Sequence, residues 1–100
     1  MKLTIVPIDK NVGIDEQFFT DLDLSNCAIP NNIHALQWYD TEGEVEFTNN
    51  SDKTKPQNEL ISELPVWANA CVTVWNMAKE QQEIAIAEQL AKQQLHNNPA

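Results

Sequence analysis

The run Ile33-His34-Ala35-Leu36-Gln37-Trp38-Tyr39-Asp40-Thr41-Glu42-Gly43-Glu44-Val45-Glu46-Phe47 decides the fold, because it holds two apolar/polar alternations separated by turn-forming residues. Successive side chains of a strand point to opposite faces, so Val45 and Phe47 share one face while Glu44 and Glu46 share the other. In the first half, Leu36 and Trp38 lie opposite Ala35, Gln37 and Tyr39, and Ile33 falls out of step with its apolar neighbours. Asp40-Thr41-Glu42-Gly43 supplies the reversal between a strand over 33–39 and a second over 44–48. A hairpin with one apolar face is the expected centre of an antiparallel sheet.

Toward the N-terminus, Leu3-Thr4-Ile5-Val6 alternates and is rich in β-branched residues, and Pro7 removes a ladder donor, so a first strand is expected to end there. Asn11-Val12-Gly13 reads as a turn, because Asn and Gly tolerate left-handed backbone values. Phe18 and Phe19 follow in an acidic stretch. Asp21-Leu22-Asp23-Leu24 alternates perfectly, the pattern of a strand buried on one side, and Ile29-Pro30-Asn31-Asn32 reads as the next turn.

Toward the C-terminus, residues 49–58 contain no apolar side chain apart from Pro56 and predict an exposed loop. From Leu64 onward there is no Gly, and Pro65 falls where a first helical turn tolerates it, which predicts a helix from about Pro65 to about Leu95. Trp67, Ala70, Cys71, Val74 and Ala78, with Met77 one step round, form the stripe expected to pack on the sheet. Beyond Lys79 only a thin stripe of Ile84, Ala87, Ala91 and Leu95 survives. A helix of about thirty residues extends roughly 45 Å, farther than a small head covers, so its second half is expected to project, fraying or taking a partner helix. The expected architecture is one α+β domain over 1–100. An acidic head at 1–63, an antiparallel sheet of about four strands, is packed by the first half of a long helix over 64–96.

A length of 100 residues suits one core. An apolar content of 42% with three Trp and three Phe argues for a real core and against disorder. The net charge of −9 repels nucleic-acid phosphates and anionic membranes and favours basic partners. Its placement is uneven, −8 from Met1 to Glu63 and −1 from Leu64 on. No run approaches the roughly 18–20 apolar residues of a membrane helix, and Met1 to Pro7 is too short for a signal-peptide core, which predicts a cytosolic protein with Cys27 and Cys71 as free thiols. For the same reason the sequon Asn49-Asn50-Ser51 carries no meaning.

Catalytic constellations are missing. Asp21/Asp23 and Glu44/Glu46 stand as a solvated strand face would, beside apolar alternates. Asp21 to Asn32 fails as a calcium loop, lacking glycine at its sixth position and glutamate at its twelfth. His34, His96, Cys27 and Cys71 lack zinc-site spacing, and nothing marks either thiol as an activated nucleophile. With Gly13 and Gly43 the only glycines, no phosphate-binding loop exists. The sequence therefore predicts neither enzyme activity, nor metal, nor cofactor. Its aromatics, Trp38, Tyr39, Trp67 and Trp75, serve a small core or an interface. The candidate partner contacts are Trp38 and Tyr39 of the hairpin and Ile84, Ala87, Ala91 and Leu95 of the distal helix.

The stretch from Ile33 to Phe47 resembles a family of small tailed-phage and prophage proteins associated with tail or tail-fibre genes, whose shared phrase is H-A-[LV]-Q-W-Y followed by G-E-[IV]-E. The similarity extends to Ile5-Val6-Pro7 and Val12, to Asp21-Leu22-Asp23-Leu24-Ser25, and to Asn58-Glu59, Ile61 and Trp67, in order over roughly the first three quarters of the chain. The resemblance implies a phage tail-associated protein, in some relatives a tail-fibre assembly factor or chaperone, with no catalytic residues. Some relatives continue into a separate assembly-chaperone segment where this sequence has its Gln/Ala-rich helix. The implied partners are a phage tail or tail-fibre protein, or further copies of the chain through the distal helix. The implied location is the host cytoplasm or the virion tail. Two other roles fit the residues, an acidic inhibitor of a host nucleic-acid-binding or defence protein and a minor structural component of the virion.

Overall fold

The computed structural model describes the backbone of residues 1–96 and the side chains of residues 1–94. Six strands and one long helix follow in order: β1 (Lys2–Val6), β2 (Asn11–Ile14), β3 (Gln17–Phe19), β4 (Ile33–Tyr39), β5 (Glu42–Phe47), β6 (Glu59–Ile61) and α1 (Val66–His96). The strands form one antiparallel sheet in the order β3-β2-β1-β4-β5-β6. The α+β class and the central hairpin are as expected. The sheet has six strands where about four were expected: β2, β3 and β6 were not read as strands, and residues 21–24 were.

Both glycines were read as turn residues, and both lie inside strands without positive φ. Gly13 pairs with Phe18 of β3, and a Cβ built on Gly13 would overlap the Phe18 ring. Gly43 pairs with Trp38 of β4, and a Cβ there would stand 2.8 Å from Trp38 Cε3. In each case the missing side chain makes room for an aromatic ring lying across the neighbouring strand. The reversals are made instead by residues that adopt the left-handed region: Asp15 (φ 48) and Glu16 (φ 73) between β2 and β3, and Asp40 (φ 58) between β4 and β5. Positive φ at both central positions is the requirement of the tightest hairpin turn. Between β1 and β2 the chain makes a short 3-10 turn over Pro7–Asp9, closed by Lys10 N–H donating to Pro7 O at 3.0 Å.

Residues 21–24 do not form the expected strand. Asp21 is left-handed (φ 54), and the Asp23 carboxylate accepts from Ser25 N–H at 3.1 Å, so local turns replace ladder pairing. The alternation still has a structural consequence, because Leu22 and Leu24, with Ile29, pack against the core while the aspartates stay exposed. The out-of-step Ile33 has an equally physical cause. The register slips between Ile33 and Ala35, so His34 is an extra, exposed residue and Ile33 rejoins the face of Leu36 and Trp38.

The core lies between one sheet face and a lid made by the first half of α1 and the 20–32 loop. Leu3, Ile5, Val12 and Leu36 are wholly buried on the sheet side, and Ala68 and Cys71 on the helix side. The helix stripe is rotated from its expected setting: Ala68, Cys71 and Trp75 point inward, Trp67 and Val74 are half-buried, and Met77 is exposed. Trp75 sets this rotation, since its Nε1–H donates to Gln17 O at 2.9 Å and its ring meets Phe19 edge-on at 5.7 Å.

Candidate interaction surfaces

Two surfaces are left uncovered: the second face of the sheet and the distal half of α1. On the sheet, strand register aligns Phe18, Gly13, Thr4, Gln37, Glu44 and Leu60 in one row across all six strands. Thr4 Oγ1 donates to Gln37 Oε1 at 2.7 Å and ties the middle of that row together. The next row runs Lys2, Tyr39, Glu42, with Lys2 Nζ 5.8 Å from the centroid of the Tyr39 ring. Phe18 and Tyr39 are each 51% exposed and Leu60 81%, so this face presents three large apolar groups to solvent.

Carboxylates border these groups. Glu42, Glu44 and Glu46 project from β5 on the same face; Glu46 pairs with Lys55 at 3.2 Å, and Glu44 accepts from Asn58 Nδ2 at 3.0 Å. Tyr39 separates two concavities, one reaching toward Phe18 past Lys2 and Thr4, the other bounded by Glu42, Glu44 and Leu60.

The distal surface begins where the helix leaves the sheet. A clasp at Gln17 marks the last contact: its Oε1 accepts from Lys79 Nζ at 2.7 Å, and its Nε2 donates to Gln82 Oε1 at 3.0 Å. Every side chain from Glu80 to Gln94 is exposed, and the molecule measures 70 × 28 × 20 Å. The second half of α1 therefore extends beyond the sheet.

Of the contacts expected from sequence, Trp38 is 6% exposed and belongs to the core, whereas Tyr39 is on the uncovered sheet face. Ile84 (44% exposed), Ala87 and Ala91 are on the projecting helix, and the Leu95 side chain lies outside the described residues. The sequence reading missed Phe18 and Leu60 on the sheet and Ile86 and Leu90 on the helix, the last two 52% and 54% exposed. Ile86 and Leu90 were detectable, because they continue the spacing Trp75, Lys79, Gln82 at i+3 and i+4 steps along the docked face of α1. No local signal distinguishes Leu60, which stands in a strand of three residues.

Neither thiol forms a disulfide, and both are buried. Burial pushes the Cys71 thiol up to about 12, and a hydrogen bond with Cys27 acts in the same direction, so Cys71 is an inert core residue where the 20–32 loop meets the helix. Among the described residues, no group of three or more His, Cys, Asp or Glu side chains is placed to hold a metal ion, and no helix is long and apolar enough to cross a membrane. The chain matches no family model, no curated protein and no solved structure.

Proposed function

We propose that this chain is a non-enzymatic tail accessory or tail-fibre assembly protein of a tailed phage or prophage, acting in the host cytoplasm or at the virion tail through protein contacts. The phage assignment comes from the resemblance of Ile33 to Phe47 to that family. The mode of action has its main support in the distal half of α1, which carries Ile84, Ile86 and Leu90 into solvent beyond its last contact with the sheet. A solvated helix exposing branched apolar residues gains stability by pairing with another helix, in a tail protein or a second copy of the chain. The acidic-inhibitor reading has weaker support, since Asp9, Asp21, Asp23 and Asp52 lie in loops and turns outside the strand that carries Glu42, Glu44 and Glu46.

The test combines light scattering across concentration with capture of tail proteins from phage-producing cells, using the parent chain and the variant I84S/I86S/L90S. Self-association or capture of a tail protein by the parent, reduced in the variant, is the expected result. A chain that stays monomeric and captures no tail protein refutes the proposal.

A further inference from the structure

The uncovered sheet face has a feature that helix pairing does not use. Between Asp40 and Glu63 the sequence holds seven carboxylates against two lysines, and this segment builds the β5–β6 side of the sheet. Among the described residues, Glu42 and Glu44 enter no ion pair, the pairs in this region being Lys55 with Glu46 and the N-terminal amine with Asp40. They stand in adjacent rows of the face, Glu42 opposite Tyr39 and Glu44 opposite Leu60. The concavity they bound has a volume of about 340 Å³ and is lined by Tyr39, Gly43, Leu60 and Ile61 besides the two glutamates. That is the small end of ligand-pocket sizes, suited to one long side chain of a docking segment.

The chemistry of the lining selects that side chain. An aromatic ring attracts a cation over its face, and Lys2 already stands over Tyr39. Leu60 offers apolar surface to an aliphatic stem, and the carboxylates of Glu42 and Glu44, the latter accepting one bond from Asn58, offer acceptors to its head. A guanidinium meets all three demands: it stacks on aromatic rings, is weakly hydrated, and donates through several N–H groups at once, whereas an ammonium is a strongly hydrated point charge. We infer that the β5–β6 part of the uncovered face docks a basic protein segment by an arginine that lies against Tyr39 and Leu60 and bonds Glu42 and Glu44. This inference rests on the contact-protein reading above and names the chemistry of one partner.

The probe is the peptide acetyl-Arg-Leu-Arg-Leu-Arg-amide, titrated into the uniformly ¹⁵N-labelled full chain and followed by amide chemical shifts. Shifts concentrated at Tyr39, Glu42, Glu44 and Leu60, with affinity falling about five-fold in E42Q/E44Q, are expected from two surface charge contacts. The variant D9N/E83Q, which removes the same charge elsewhere, is expected to bind as the parent does. Equal weakening in both variants, shifts scattered over the acidic loops, equal affinity for the lysine analogue of the peptide, or no binding overturns the inference. All substituted groups are exposed, so unchanged spectra away from the substitutions establish that each variant is folded. A tail protein captured equally well by the parent and E42Q/E44Q overturns the arginine site and leaves the contact-protein reading standing.

Discussion

Replacing Gly43 with alanine tests whether the strand glycines are seats for aromatic rings. The added Cβ would stand 2.6 Å from the Gln37 carbonyl oxygen and 2.8 Å from Trp38 Cε3, inside the roughly 3.5–4.0 Å of favourable contact. Neither neighbour can retreat easily, since Gln37 O belongs to the ladder backbone and Trp38 is 6% exposed within the core. Overpacking of this kind destabilises by about 1–3 kcal/mol. The alanine recovers about 0.4–1 kcal/mol by restricting the unfolded chain. The net expectation for G43A is a loss of about 1–2 kcal/mol, lowering the unfolding temperature by about 10 °C in a domain of this size. G13A is the control, because its overlap is with Phe18, a half-exposed ring on an edge strand that can swing into solvent. Its stability should stay within about 0.5 kcal/mol of the parent. Urea unfolding followed by tryptophan fluorescence measures both. A G43A chain as stable as the parent, or a G13A chain less stable than G43A, refutes the reasoning.

Substituting Trp75 with phenylalanine removes the donor to Gln17 O and should cost about 1–2 kcal/mol, read as faster hydrogen exchange in the first half of α1 and a lower urea midpoint. Ending the chain after Glu83 removes, among the described residues, only exposed side chains and keeps the Gln17 to Gln82 bond, so the head's amide spectrum should be unchanged and its stability should move by less than about 0.5 kcal/mol. Native Cys71 should resist iodoacetamide at pH 8 and react once urea unfolds the chain. Because its folded pKa is raised from 9.0 to about 12, the folded state binds the proton more tightly; its contribution is fully present below pH 9 and is lost as pH rises toward 12, visible as a falling urea midpoint that C71A does not share.

What could be read from the sequence was whatever a period encodes. Leu3 and Ile5, Leu36 and Trp38, and Val45 repeat every second residue, and the sheet face they make is the one buried. The thinning of the apolar pattern after Lys79 likewise marked where the helix leaves the sheet. The errors arose where one residue type serves two purposes. Glycine permits a turn and also gives a ring room, and only the partner strand's register, which brings Phe18 to Gly13 and Trp38 to Gly43, decides between them. Asp21 to Leu24 alternated because a loop lying on a core also benefits from alternate burial, and its local turns, with Asp21 left-handed and Asp23 capping Ser25, replace ladder pairing. Ile33 shows the converse, a break in parity that reported a bulge. Tyr39 and Trp38 could not be divided into contact and core until α1 had taken one face.

The arrangement of the two surfaces bears on how an assembly factor could use them. The arginine concavity lies at the β5–β6 side, whereas the projecting helix departs past Gln17 of β3, the strand at the opposite edge. Six strands about 4.8 Å apart place those edges roughly 24 Å from each other, too far for one small segment to engage both. Each surface can therefore be occupied without displacing what is held at the other. If the helices of two copies pair, each pair carries two Tyr39 sites on separate heads. A partner with two suitably spaced arginine segments would then bind its second site intramolecularly, gaining avidity from individually weak contacts. That gain vanishes when the helix contacts are broken, so helix pairing would control head affinity without any change in the structure of the head.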